Sequence, residues 1–274
     1  EQMRELTTRY NENLSNREEA KEAVAGYNED ILSFNTKLAV MEGNLRSLIA
    51  IKEDFAGYQG AVQALMNDAK TNAALSSRIL GVVAQIINVP SDYVAAVENA
   101  LGSALQNIVC QTEEDASYLI DYLKQKNLGR ATFRPLSACR PKSLTGENRA
   151  ALKERGCLGV VCDLISYDKK FDKIMQALLG DTVIVDNKAT GIRLFRAYNQ
   201  SFRIVTLDGD IFAQNGSMTG GSRRSDKSGL LEQEKNIAAA KENLEKLVQP
   251  FQNDGDARRK AAGNRRLRKD FART

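Results

Sequence analysis

The 274 residues contain no histidine and no tryptophan, only four prolines, and 6% aromatic residues. Without histidine the chain cannot build a Ser-His or Cys-His nucleophile or any imidazole metal site. No apolar stretch reaches the roughly 18 residues of a membrane-spanning helix, and no charged start with an apolar core marks a signal peptide. Cysteines are few: Cys110, Cys139, Cys157 and Cys162. None forms a C-x-x-C pair, and Cys110 and Cys162 sit in apolar runs, so they read as reduced, buried thiols rather than zinc ligands or disulfides. Phosphate-binding loops are missing as well. Gly216 to Gly221 has the glycine spacing of a P-loop but runs on into Ser222-Arg223, not Lys-Ser/Thr. No G-x-G-x-x-G dinucleotide loop occurs.

What is abundant is charge, at 27% of residues, with a net excess of +4. From Ala257 to Thr274 there are eight Lys or Arg against a single Asp. That stretch supplies the whole excess, so the rest of the chain is acidic and its basic pI does not make the body a nucleic-acid binder. The chain opens on Glu1 and ends inside a charged helical pattern, and is expected to be a segment of a longer protein.

A heptad rhythm fills residues 1–55. Leu6, Tyr10, Asn13, Arg17, Ala20, Val24, Tyr27, Ile31, Phe34, Leu38, Met41, Leu45 and Leu48 follow alternating steps of four and three, which keeps one seam toward a partner helix. Asn13 and Arg17 are polar positions in that seam, suited to fixing register. A shorter pattern at 226–252 repeats every seven residues through Leu230, Ile237, Leu244 and Phe251, with Val248 between the last two. The simplest geometry is an antiparallel pair of arms, with a basic polar tail over 253–274.

Between the arms, residues 56–225 contain an internal repeat. Gly81 to Ala84 (GVVA) matches Gly159 to Cys162 (GVVC), and each copy ends its first helix in Leu-Gly, at Leu101-Gly102 and Leu179-Gly180. Each helix precedes a β-type run, Asn107 to Cys110 and Thr182 to Val185, then a second helix near Asp115–Lys124 and near Thr190–Tyr198. Another strand follows, Arg130 to Phe133 and Phe202 to Leu207. The fold class is therefore α/β: two pseudo-repeated halves, about 78–140 and 156–222, joined by a turn-rich linker. Asp208-Gly209 signals a hairpin at the end of the second half. Glu113, Glu114 and Asp115 fit a helix start better than an acid-base pair.

Composition leaves the Gly216, Gly220 and Gly221 stretch between a flexible exit loop and a place where another backbone approaches a strand edge. Arg223, Arg224 and Lys227 are either solvated linker cations or phosphate contacts that ignore base sequence. An α/β enzyme inserted in a coiled coil and a dedicated DNA-binding module are the rival functions. The first needs a pocket of convergent polar groups, for which the sequence offers no candidate.

Five segments in order resemble the hinge domain of SMC (structural maintenance of chromosomes) proteins: Gly81–Pro90 (GVVAQIINVP), Ala100–Val109 (ALGSALQNIV), Leu128–Leu136 (LGRATFRPL), Phe202–Asp210 (FRIVTLDGD) and Gly216–Gly221 (GSMTGG). The likeness covers about Gly57 to Ser225 and is greatest to bacterial chromosomal SMC proteins. It implies a homodimeric, doughnut-like hinge in which sheet edges of one copy's first half meet those of the other copy's second half. It places Gly216, Ser217, Met218, Thr219, Gly220, Gly221 and Gly102 at the dimer contact and raises Arg223, Arg224 and Lys227 as DNA-binding residues. It also implies a non-enzymatic segment with no cofactor, acting in chromosome condensation and segregation in the cytoplasm at the nucleoid. ATP and accessory subunits would engage only distant heads, outside this segment. Two positions depart from the family pattern: Asn215 stands where another Gly is frequent, and Gly102-Ser103 where Gly-Gly is common.

Overall fold

The computed structural model describes residues 2–221 and 229–249, and these fall in two compact units, one of 2–49 with 237–249 and one of 50–221 with 229–236. Phe251, the tail, and Arg223, Arg224 and Lys227 lie outside the described residues.

The first unit is helical. Helix α1, Gln2–Glu53, runs 52 residues without interruption, a length of roughly 78 Å at 1.5 Å per residue. Its seam is visible in the burial pattern: Phe34, Leu38, Met41, Leu45 and Leu48 are half-buried while their neighbours are mostly exposed. On the returning helix, residues 230–249, Ile237 is buried and Ala240, Leu244, Leu247 and Val248 are half-buried. Farther out the seam side chains are open, with Leu6 62%, Tyr10 67% and Tyr27 68% exposed. The described returning helix is simply shorter than α1.

The second unit holds the repeat. Its first half follows α2 (Gly60–Ala69) and α3 (Ala73–Ser76) with β1 (Ile79–Val82), β2 (Ile87–Asn88), α4 (Val94–Leu101), β3 (Ile108–Cys110), α5 (Glu113–Gln125) and β4 (Phe133–Pro135). The second half matches it element by element: β5 (Cys157–Val160), α6 (Val161–Leu164), β6 (Ser166–Tyr167), α7 (Asp172–Leu179), β7 (Thr182–Val185), α8 (Lys188–Ala197) and β8 (Arg203–Thr206). It then adds β9 (Ile211–Phe212) and β10 (Met218–Thr219). We call the helix at 230–249 α9.

The two halves share their irregularities as well as their order. β1 pairs antiparallel with β3 and β5 with β7, each through a register shift ending at a glycine. Gly81 has φ +141° and Gly159 φ +142°. That is left-handed territory, which the missing Cβ makes affordable. β3 then pairs parallel with β4, and β7 with β8. The sheets read β1-β3-β4 and β10-β9-β8-β7-β5, and a small third ladder, β2-β6, ties one half to the other.

One expected strand is shifted, and one repeated run is strand only in part. The run from Gly81 that matches Gly159 to Cys162 is strand only to Val82. Val83 N–H donates to Asn107 O, and the chain turns into a 3-10 helix, Val83–Gln85. The strand expected over Arg130–Phe133 begins where that run ends, because parallel pairing aligns Phe133 with Ile108 and Pro135 with Cys110.

Packing follows from strand alternation. Val82, Ile108 and Cys110 face a core under α2 and α5, while Val183, Val185 and Ile204 face one that includes Leu194 and Phe195 of α8. The opposite faces meet in a shared core of Val97, Leu101, Val109, Ile174, Leu179, Ile184 and Val205, on which Leu230 and Leu231 of α9 also sit. Helices α4 and α7 are the common layer between the two sheets. α5 starts with a capping box: Asp115 N–H donates to Thr112 Oγ1 at 3.3 Å, and Asp115 accepts from Thr112 N–H. The acidic trio of the sequence is thus a helix start.

Candidate interface: two open sheet edges

The glycine-rich segment lies on the outermost strand of the larger sheet. A turn precedes it, in which Asn215 Oδ1 accepts from Ser217 N–H at 3.1 Å and from Ser217 Oγ at 2.7 Å. Gly216 occupies φ +87° there. Ala213 N–H donates to Ser217 O at 2.9 Å. The Ser217 carbonyl and the Thr219 peptide groups therefore point at β9, and Met218 and Gly220 point theirs to the open side. Met218 is 55% exposed. A Cβ on Gly220 would stand 2.0 Å from Asp210 Oδ1, whereas one on Gly221, at φ +121°, would meet nothing within 4 Å.

The smaller sheet has its own open edge at β4, in the other half. Ile108 N–H donates to Thr132 O at 2.9 Å and Leu136 N–H to Cys110 O at 3.0 Å. Thr132, Arg134 and Leu136 thus face β3, and Phe133 turns its N–H and C=O outward. Pro135 follows it without a donor, as befits an edge. Sequence reading had assigned no site residue to β4, although a proline inside a strand was the available signal. Gly102 lies apart from both strands, at the C-cap of α4 with φ +52° and open space at its Cβ position.

Burial pushes the Cys110 thiol up to about 11 and the Cys162 thiol up to about 12, and raises Cys139 and Cys157 as well. Cys162 Sγ donates to Met175 O at 3.3 Å. Such thiols are neutral near pH 7. Among the described residues no group of three or more Cys, Asp or Glu could hold a metal ion, and no helix is long and apolar enough to cross a membrane.

These shifts set a pH dependence. Unfolded thiols ionise near the ordinary thiol value of 9.0, and folding holds the protons of Cys110 and Cys162 to about 11 and 12. The folded state binds more protons in that window, so stability is level below pH 9 and falls above it. Urea melts from pH 7 to 11 should show that fall, and a stability that rises above pH 9 would contradict the burial.

A pseudo-repeated α/β body with open sheet edges in both halves, in a chain that also has a long heptad-patterned helix, is the architecture of a coiled-coil-borne assembly module. The chain belongs to the SMC hinge family. The family model described as "SMC proteins Flexible Hinge Domain" matches residues 76–195. The Pyrococcus furiosus SMC protein hinge domain is 30% identical with TM-score 0.51, over 68% of this chain and 92% of that one. The Geobacillus stearothermophilus SMC hinge domain, solved as an asymmetric dimer, has TM-score 0.72 at 27% identity, over 81% of this chain and 87% of that one. The chromosome partition protein Smc of Desulfitobacterium hafniense is 37% identical over 221 residues, which is 81% of this chain but 18% of the relative. The chain thus spans under a fifth of the curated relatives it matches.

Proposed function

We propose that this chain is the homodimerisation hinge of a bacterial SMC chromosome-partition protein, joining two coiled-coil rods, with β4 of one copy adding to β10 of the other. The observation that carries this reading is a pair of sheet edges, β4 in the first half and β10 in the second, which among the described residues present outward peptide groups at Phe133 and at Met218 and Gly220. Strand addition at an exposed edge obtains affinity from the backbone itself. A two-fold pair of copies then makes two such contacts and closes. Monomeric proteins blunt exposed edges. Here β10 instead carries an exposed methionine and glycines without side-chain bulk.

In this role the segment needs no cofactor and performs no catalysis. ATP and accessory subunits belong to heads outside it, and the whole protein works in the cytoplasm on the nucleoid. Light scattering tests the reading: a mass of two chains at micromolar concentration is expected, and one chain's mass would refute it.

The same reading includes contact with DNA by Arg223, Arg224 and Lys227, supported by their charge and by their place between the Gly-rich strand and the returning arm. Reversing Arg223 and Arg224 to Glu should weaken binding equally on unrelated duplexes and flatten its salt dependence. Unchanged binding would leave them as linker cations.

A further inference from the structure

The basic side chain at the centre of β4 has no hydrogen bond or ion pair among the described residues. Arg134 lies in register with Val109, which faces the shared core, while its neighbour Phe133 packs on the other face. The Arg134 side chain therefore runs along the shared-core face of an edge strand and is half-buried there. Its Nε is fully enclosed and has no hydrogen-bond partner. Its charge also draws down the Cys139 thiol against the upward push of burial, which places it beside that sulfur.

The second half shows what this fold does with a comparable group. Arg203 of β8 uses all three kinds of guanidinium nitrogen: Nε donates to Thr182 Oγ1, Nη1 to Ala100 O and Nη2 to Leu178 O. Arg134 has no such set, and no acid lies near it in sequence. From Tyr122 to Gly146 there are six Lys or Arg, namely Lys124, Lys126, Arg130, Arg134, Arg140 and Lys142, and not one Asp or Glu. An enclosed donor at a sheet edge, in a stretch of one charge, calls for an acceptor from outside.

The other open edge carries the complementary groups. Asp208 and Asp210 stand in the turn beside the end of β10. Asp208 is exposed, and among the described residues the ion pair of Asp210 is a long one, 3.7 Å, to the well-exposed Lys188. We propose that Arg134 is completed by a second copy of this chain: its guanidinium docks on the acidic β8–β9 turn beside the partner's β10, so that charge selects which edges pair. The proposal rests on the hinge reading, since it supplies the selectivity of the same strand addition.

A dilution series followed by sedimentation, at two salt concentrations, tests it on the chain as it stands. Arg134→Leu keeps apolar volume and removes every donor; it should raise the dimer Kd at least tenfold and flatten its rise with salt. Arg134→Gln keeps a donor without charge; it should lose the salt dependence with a smaller loss of affinity. Asp208→Asn with Asp210→Asn should weaken the dimer similarly, and combining it with Arg134→Leu should add little further loss. Circular dichroism confirms that each variant is folded. A folded Arg134→Leu or Arg134→Gln that dimerises as tightly as the parent, with the same salt dependence, overturns the proposal while leaving the hinge reading intact. A parent chain that is monomeric overturns both.

Discussion

Gly220→Glu is expected to turn the dimer into a monomer at micromolar concentration without unfolding the chain. A side chain here starts 2.0 Å from Asp210 Oδ1. The Asp210 side chain must swing away, and a second carboxylate then faces it at short range. The rest of the glutamate projects over the edge that a partner strand must approach. β10 lies at the end of its sheet and spans only Met218–Thr219, so the cores under α5 and α8 are untouched. A rise of at least a hundredfold in Kd, about 2.7 kcal/mol, is the expected size, read by sedimentation across a dilution series. A dimer of unchanged affinity would remove the glycine segment from the contact.

Arg203→Met should be the most costly single change inside one copy. The guanidinium is held by three bonds, 2.9 Å to Thr182 Oγ1, 3.0 Å to Ala100 O and 2.7 Å to Leu178 O. Ala100 lies in the last turn of α4 and Leu178 in the last turn of α7, one helix from each half. Carbonyls at helix C-termini carry the negative end of the helix dipole and want a cation. Burial lowers the Arg203 pKa, and Asp181 opposes that shift. Methionine fills similar length but leaves two enclosed carbonyls unpaired. Hydrogen bonds to charged groups contribute roughly 1.5–3 kcal/mol each; with partial solvent exposure, a total loss of about 3 kcal/mol is reasonable. For a body of this size that is a fall in Tm of roughly 6–12 °C. Arg203→Lys should recover part of it, since one ammonium reaches one carbonyl but not both. A change under about 0.5 kcal/mol would show that the shared apolar core and the β2–β6 ladder hold the halves without help from Arg203.

Much of the fold is legible in the sequence because it rests on repetition. The matched glycines at 81 and 159 announce two copies of one unit, and the structure gives them the same φ and the same register shift. The heptad positions Phe34 to Leu48 are those with partial burial. What periodicity cannot show is pairing between distant short segments. β2 and β6 are two residues each, Ile87–Asn88 and Ser166–Tyr167, too short for any pattern, yet they connect the halves. The start of β4 was misplaced for a related reason: its register is set by β3, not by its own composition.

The candidate interface was half legible. The glycines mark one edge, but local sequence does not say that β10 is outermost in its sheet. The resemblance implies an edge in the first half, but no residue of β4 stands out for it, because β4 carries no special residue type beyond Pro135. Arg203 and Arg134 look alike in sequence, each a lone cation in a strand. Only the carbonyls around one and their absence around the other separate them.

Amide hydrogen exchange at three residues tests the edge pairing most directly. In a single copy the N–H groups of Phe133, Met218 and Gly220 point away from their own sheets. The account predicts that all three are protected in the parent chain at dimeric concentration and exchange freely in Gly220→Glu, whose dimer is lost. Fast exchange at Phe133 and Met218 in a chain that sediments as a dimer would contradict it, and would place the contact elsewhere on the surface.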